Sequence, residues 1–567
     1  MSALFLCDRA EVPADWRGKW DETVRLSTEG DRATVNFRID SLEAALLGSL
    51  DGRSLDLIRI AALALAADQS VSRGGLADPH ERKWHRKLGL VIPVNEPAFW
   101  RALEVQRALR SCLGFLSDDD WFFDFTERTA ESQRQLLLSD QVEDQGAEAE
   151  VVIPFSGGID SLTAAVETLR AGQRPLLVTH ASSSVPEGHR RELLDGLRAL
   201  FPGQTFGRVN AHANRRQTEA VEPTNRSRSF FFASVAMVTA VRRRAPDVML
   251  ADNGWVSVNL RINDQMVGAI GTRSTHPRFL RLFNELACLV FDSPPTLRNP
   301  FWDQTRADVI ERLRAAGGLG LLEVSNSCAV RRNLPRHTPH CGRCSQCIDR
   351  RFAVEATSLV EFDPVERYAS DVFTEDLDDR TKNLALSYVR AAREIDRLSD
   401  DGLFAEFPEL VECVAPTDRE DVAHAYVAML RRQSRAVLDV VEVRFHGLAA
   451  DLTRGTARAG SLLGLLAADQ SRSTERWGGL RASADYRTVA WRGQTFTFTR
   501  AQARAVRNLH ESHSQSVSAL SRELTLDGTG REYSRVSDVF KRHPAWKRLV
   551  VTVGRTGYAL DLSPNVA

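Results

Sequence analysis

Val151-Val152-Ile153-Pro154-Phe155-Ser156-Gly157-Gly158-Ile159-Asp160-Ser161 joins an apolar, β-branched run to a polar glycine turn, and the amphipathic stretch Leu162 to Leu169 follows directly. This order predicts a buried strand, a tight turn and a helix. Gly157 and Gly158 can take positive φ and let backbone N–H groups approach an anion, at the point faced by the first helical amides and the helix dipole. The turn therefore suits a polyphosphate. A Ser-Gly-Gly turn is also compatible with a plain strand-to-helix connection, so its surroundings have to decide. It lacks the lysine of a Walker A loop, which argues against ordinary γ-phosphate chemistry.

Around this stretch the chain alternates strand with helix. Pro175 to His180, Thr205 to Val209 and Asp247 to Ala251 read as further strands, and Glu187 to Leu200 and Ser229 to Arg243 as helices. Such alternation predicts an α/β fold with a parallel sheet covered on both faces, and ligands at the carboxyl ends of its strands. Four segments are expected. Residues 1–148 read as an α+β domain, with a period-two strand at Ala33 to Ile39 and helices at Asp56 to Ala67 and Ala98 to Leu116. Residues 149–372 form the glycine-loop domain, introduced by the polar stretch Asp140 to Glu150. Residues 373–470 are helical, at Thr381 to Arg397 and Asp418 to His446. Residues 471–567 combine a Tyr486 to Phe498 strand pair, helices near Arg500 to Glu511, Val517 to Glu523 and Ser534 to Lys541, and a hairpin turning at Gly554 to Gly557. That order is winged-helix-like. Trp84, Trp100, Trp121 and Phe122 are read as core or interface anchors, not as a stacking platform for bases.

Composition sets outer limits. With 567 residues, 43% hydrophobic and 26% charged, the chain can bury several cores. The net charge of −1 supplies no global attraction to nucleic acid or anionic membrane, so binding of nucleic acid by the C-terminal segment is the less favoured of its roles, behind protein docking. The apolar stretch Leu57 to Ala67 holds Arg59 and is too short to span a bilayer, which predicts no membrane partner. Met1 to Cys7 is followed by Asp8, Arg9 and Glu11, unlike a secretory leader. The eight cysteines form no evenly spaced disulfide framework, and a reducing, cytoplasmic setting is expected.

Four of those cysteines form a pattern. Cys328, Cys341, Cys344 and Cys347 are spaced C-x12-C-x2-C-x2-C. Two x2 spacings bring thiolates to one ion, and four thiolates close a tetrahedron around zinc without leaving a position for activated water, so the expected metal is structural. An iron–sulfur cluster is the alternative, and His337 or His340 could replace a thiolate. Cys7, Cys112, Cys288 and Cys413 are expected to pack inertly. The metal would fix a loop bearing Arg331, Arg332, Arg343, Arg350 and Arg351, read as positive charge for phosphates or as a solvated face.

Ser-Gly-Gly-x-Asp-Ser after a buried strand resembles the signature of the PP-loop ATP pyrophosphatases, which cleave ATP between the α- and β-phosphates. About 170 residues later come Ser325-Asn326-Ser327-Cys328 and then His340-Cys341-Gly342-Arg343-Cys344-Ser345-Gln346-Cys347, with Arg350 beyond. Together these resemble the 7-cyano-7-deazaguanine (queuosine-precursor) synthases over about Val151 to Ala356. The added segments before and after this core set the chain apart from the short synthases, and the blocks between the two motifs, Thr224-Asn225-Arg226-Ser227-Arg228, Asp252-Asn253-Gly254-Trp255, Ser274-Thr275-His276-Pro277 and Asn299-Pro300-Phe301, look more like enlarged relatives encoded in bacterial antiphage defence operons. The resemblance implies ATP, Mg2+ and Zn2+ as cofactors. It implies adenylation of a carboxylated deazaguanine and transfer to an amine, in the enlarged form an amine on a partner protein. Ammonia-dependent nitrile synthesis is one alternative, and a nucleotide-sensing, nucleic-acid-binding module another. It casts Ser156, Asp160, Ser161, Arg226 and Arg228 as catalytic. Nucleotide binding would fall to Phe155, Ser156, Gly157, Gly158, Ile159, Asp160, Ser161, His180, Asn253, Gly254 and Arg350, and metal binding to Cys328, Cys341, Cys344 and Cys347. Arg226 and Arg228 could instead cap or solvate the helix that follows, Asn253-Gly254 could be only a turn, and His276 could be a proton carrier or a structural histidine.

Overall fold

Alternate residues of the strand Val151–Pro154 enter different cores. Val151 and Ile153 belong to one buried cluster and Val152 to another, as Leu177 opposes Leu176 and Val178 in the strand Pro175–His180. Both faces are thus apolar, which is the condition for a fully covered parallel sheet. In a computed structural model, which describes residues 2–28, 33–37, 50–73, 85–128, 149–180, 187–215, 221–222, 226–262, 273–329, 334–335, 337–415, 418, 420–454, 458–472, 480–483, 485–491, 494–514, 519–529, 533, 535–554 and 557–561, this sheet has five parallel strands. Their spatial order is Thr296–Arg298, Asp247–Met249, Val151–Pro154, Pro175–His180, Gly207–Ala211. In sequence terms that is 5-4-1-2-3, and the order reverses between the first and fourth strands. Helices Ile159–Arg170, Glu187–Leu200 and Arg306–Ala315 cover one face; Arg228–Arg243 and Pro277–Val290 cover the other.

The first segment differs from expectation. Its sheet of Glu22–Leu26, Ser2–Cys7, Lys87–Val94 and Asp120–Glu127 is parallel throughout, so it is α/β and not α+β. Val35–Phe37, the core of the predicted period-two strand, pairs antiparallel with Ala213–Arg215. The predicted helix over Ala98 to Leu116 breaks at Ala102 into Pro97–Arg101 and Leu103–Ser117. Trp100 and Trp121 are buried, as anchors should be, while Trp84 lies outside the described residues.

One apolar core serves both sheets. Phe5, Leu90 and Phe125 of the first sheet share it with Val152, Val178 and Val209 of the second, through the helices Gly52–Ser70, Leu103–Ser117, Arg228–Arg243 and Pro277–Val290. Gly52–Ser70 is apolar around most of its circumference, from Leu57 through Ala67, and such a helix has to be enclosed. Asp51 caps it, accepting the Ser54 N–H at 2.9 Å. Helices Asp379–Arg397, Asp400–Glu406, Glu409–Cys413 and the first part of Glu420–Arg454 pack against Trp255, Val258 and Trp302, beside the fourth and fifth strands.

The four expected segments fall into two compact units: Met1–Val372 with Asp379–Val443, and Phe373–Asp378 with Arg444–Ala567. The second unit holds a three-stranded antiparallel sheet, Leu480–Ala482, Thr488–Trp491 and Gln494–Thr497. The helices Arg500–Ser514, Arg522–Leu526 and Val536–Val539 follow, then the hairpin Val550–Val553 and Gly557–Leu560. Among the described residues, no helix is long and apolar enough to cross a membrane.

Candidate active site and metal centre

The glycine turn sits where the sheet's strand order reverses. It follows the first strand, Asp252-Asn253-Gly254 follows the fourth, and the crevice between two such loops is where open parallel sheets bind ligands. Gly157 has φ +81°, and Gly158 is the extended N-cap of the twelve-residue helix Ile159–Arg170. The Oγ atoms of Ser156 and Ser161 lie 3.1 Å apart, and the Gly158 N–H points to Ser156 Oγ at 3.3 Å. Ser156 is exposed, whereas Phe155 and Ile159 anchor the turn in the core. Exposed hydroxyl, glycine backbone and helix N-terminus therefore converge on one opening, an arrangement suited to an anion.

Behind the turn lies a buried charge cluster. Asp160 Oδ2 accepts the Asn253 side-chain N–H at 3.1 Å and stands 3.6 Å from Arg306 Nη1. Arg306 also bonds Asp349 through Nε and donates Nη2–H to Gln346 Oε1 at 2.9 Å. Asp349 in turn accepts the Tyr388 hydroxyl at 2.6 Å, and Tyr388 accepts from Gln433 Nε2 at 2.6 Å. The helical segment is thus wired to the base of the site. Burial raises the Asp160 carboxyl; Arg306 opposes the rise and Asp349 adds to it. Asp252, whose Oδ2 accepts the Thr275 hydroxyl at 3.1 Å, is pushed up to about 7 by burial and then by the neighbouring Asp160. Asp160 Oδ1 is buried without a hydrogen-bond partner, an orphan acceptor of the kind a cation or proton would satisfy.

The remaining predicted site residues separate. Arg228 lies within electrostatic reach of Asp252, its guanidinium 5.7 Å from the Phe232 ring centroid, so it belongs to the cluster. Arg226 turns to the first sheet instead. It donates to the Ser117 carbonyl at 3.2 Å and pairs with Asp118 at 3.6 Å, while burial and nearby Arg73 lower it to about 9. Asn253 caps the short helix Gly254–Val258, accepting Val256 N–H at 3.1 Å while donating to Asp160. Gly254 is required by packing, since a Cβ there would lie 2.2 Å from the Trp302 carbonyl oxygen. His276 is structural: buried, it accepts the Arg278 N–H on Nδ1 at 3.1 Å, and burial with flanking arginines lowers it to about 3. His180 ends its strand, and its side chain lies outside the description, as do Thr224, Asn225, Arg331 and Arg332.

Arg350 and Arg351 correct the reading of the cysteine loop as a phosphate-facing surface. Arg350 is fully buried, donating Nε–H to Asp363 at 2.8 Å, Nη1–H to Ser325 Oγ at 2.9 Å and Nη2–H to the Leu322 carbonyl at 3.0 Å. Arg351 is buried too and pairs with Glu355 at 2.8 Å. Both hold the loop together. The link to the glycine turn is Asn326, whose N–H donates to the Gly157 carbonyl at 2.8 Å, two residues before Cys328. No local pattern marks Arg306 or Asp349 as part of this site, and Asn326 is marked only weakly, by its place inside Ser325-Asn326-Ser327-Cys328.

The four cysteine sulfurs all lie within 4.8 Å of one another, and those of Cys341 and Cys347 are 3.8 Å apart. Zn–S bonds of about 2.3 Å in a tetrahedron separate sulfurs by about 3.8 Å. Thiolates ligating different irons of a cluster would stand farther apart, so the donor set fits one zinc ion. Cys341 Sγ also accepts the N–H groups of Arg343 at 3.4 Å and Cys344 at 3.3 Å, which stabilises a thiolate. Gly342 makes the turn, with φ +71° and a hypothetical Cβ 1.8 Å from the Ser370 carbonyl oxygen. His340 is buried beside Asp363 and Tyr368 and stands outside the sulfur group; His337 is exposed. Of the other cysteines, Cys7, Cys112 and Cys413 are buried as expected, but Cys288 is exposed.

No protein-family model matches this chain, and no curated protein matches it significantly.

Proposed function

We propose that this chain is an ATP-dependent, AMP- and pyrophosphate-forming enzyme that activates a carboxylated deazaguanine and passes it to an amine. The observation that carries the reading is the Ser156–Ser161 turn with its buried Asp160 at the strand-order reversal. Loop and helix amides there suit the departing pyrophosphate, and a carboxylate needs such activation because it is a poor electrophile. The substrate carboxylate oxygen attacks the α-phosphorus and pyrophosphate leaves. The amine nitrogen then attacks the acyl carbon, AMP leaves and the nitrogen loses a proton. Asp160 and Asp252 are the carboxylates that would hold Mg2+, whose contribution when bound is to neutralise phosphate charge. In this reading Arg228, near Asp252, would pair with a phosphate or carboxylate, while Arg226, engaged with Ser117 and Asp118, acts by holding the turn before Arg228. Cys328, Cys341, Cys344 and Cys347 would hold a zinc ion that contributes structure and not chemistry, while Asn326, two residues before Cys328, is bonded to the glycine turn through the Gly157 carbonyl.

In this reading the amine belongs to a partner protein of a defence system, and the winged-helix-like second unit and the first sheet are the parts available for recognising large partners. ATP, 7-carboxy-7-deazaguanine and Mg2+ should yield AMP and pyrophosphate; ADP as the sole product refutes the proposal. Ser156→Ala and Asp160→Ala should each abolish AMP formation while the fold persists. Mass spectrometry of a co-expressed partner separates an amide conjugate from the nitrile that ammonia would give.

A further inference from the structure

The neutral balance of the whole chain conceals an uneven distribution. Residues 444–567 carry 19 Lys and Arg against 10 Asp and Glu, which leaves 55 against 65 for residues 1–443. The excess is densest over residues 535–548, from the N-cap of the helix Val536–Val539 through the turn that leads to the strand Val550–Val553. Arg535, Lys541, Arg542, Lys547 and Arg548 are all exposed there, and Asp538 is the one carboxylate in the same stretch of sequence. Among the described residues none of the five forms an ion pair; Arg548 reaches only Gln494 Oε1, at 3.5 Å. We propose that these five cations form a surface that binds the phosphate backbone of a nucleic-acid duplex.

The turn presents these charges on a fixed frame. His543 N–H donates to the Phe540 carbonyl at 2.8 Å, Lys547 N–H to Val550 at 2.8 Å and Val550 N–H to Ala545 at 3.0 Å, and Trp546 stacks on Phe540 with centroids 6.0 Å apart. Arg542 and Lys547 both have φ +63°, a left-handed conformation in which a long side chain costs roughly 1–2 kcal/mol and glycine nothing. A cation thus stands at two positions whose backbone favours glycine.

The chemistry selects the occupant. A protein partner needs a buried apolar or aromatic anchor, yet Val536, Val539, Phe540 and Ala545 are buried and Trp546 is stacked inward. A single strand needs free aromatic faces on which bases can stack, and the turn offers none. Unpaired cations without an anchor match evenly spaced phosphates, where binding is driven by counterion release.

The test is fluorescence anisotropy of the full chain with labelled duplex DNA and duplex RNA of one sequence, from 50 to 200 mM salt. Five phosphate contacts predict that affinity for a bound duplex falls about 500-fold over that range. Arg542→Gly with Lys547→Gly should lower the log–log salt slope by about 1.8 while leaving the melting temperature unchanged or higher, because glycine relieves both backbones. Arg535→Ala with Lys541→Ala should flatten it similarly. The proposal is overturned if neither duplex binds, if the glycine pair binds with an unaltered slope, or if labelled polyglutamate binds as tightly as a duplex.

Discussion

Replacing Arg306 by methionine should unbalance the buried cluster behind the glycine turn. Arg306 stands 3.6 Å from Asp160, contacts Asp349 directly, and is almost fully buried. At an effective dielectric constant of about 20, a charge pair at 3.6 Å is worth about 4–5 kcal/mol. Removing one member of such a pair typically costs about 3–5 kcal/mol net, because the remaining carboxylates stay buried without compensation. The expected loss of the first unit's stability, measured by urea unfolding at pH 8, is therefore about 3–5 kcal/mol. Its pH dependence is diagnostic. Burial already raises Asp160 and Arg306 opposes the rise, so without the guanidinium its folded-state pKa rises further, and a carboxyl raised above its unfolded value gains stability as pH falls toward that value. The deficit should shrink between pH 8 and pH 5.5, and Asp349→Asn in the same chain should recover part of it. A loss below about 1 kcal/mol at pH 8, or one that grows on acidification, refutes this account of the cluster.

Gly342→Ala places a methyl group against the Ser370 carbonyl and should leave purified protein with less than one zinc per chain by elemental analysis, as should Cys344→Ser; Gly320→Ala, which meets nothing within 4 Å, should retain the metal. His276, held near 3 when folded against about 6.5 unfolded, contributes stability that is lost as pH falls from 6.5 toward 3, at up to about 1.4 kcal/mol per pH unit. His276→Asn preserves an acceptor for the Arg278 N–H and should flatten that slope in urea titrations at pH 4 to 6; an unchanged slope contradicts it. Tyr388→Phe removes the hydroxyl shared by Asp349 and Gln433 and should cost about 1–3 kcal/mol in the same assay, whereas an unaltered midpoint means those groups find other partners.

What the sequence made legible was what local pattern encodes. The run Val151 to Phe155, the glycines and the four cysteines announce themselves because strand period, positive φ and thiolate spacing are properties of neighbouring residues. Pro175–His180 and Glu187–Leu200 appear within their predicted bounds for the same reason. Arg306 and Asp349 were invisible. They meet Asp160 only when three helices converge, and an isolated arginine or aspartate reads as a solvated charge until its surroundings are known. Arg350 was misread in the opposite direction, since proximity to the cysteines suggested an anion when its partner is Asp363. The parallel pairing of the first sheet was hidden too, because Val35–Phe37, the strand easiest to recognise, pairs outside that sheet.

The core common to both sheets has a consequence during synthesis. Helix Gly52–Ser70 is complete long before Arg228–Arg243, against which it packs, has left the ribosome. About 170 residues separate the two helix ends, and at roughly 5–20 residues per second the interval is about 10–35 s. For that time Leu57, Ile58, Leu63 and Leu65 lack part of their native cover, a demand on chaperones that a self-sufficient N-terminal domain would not make.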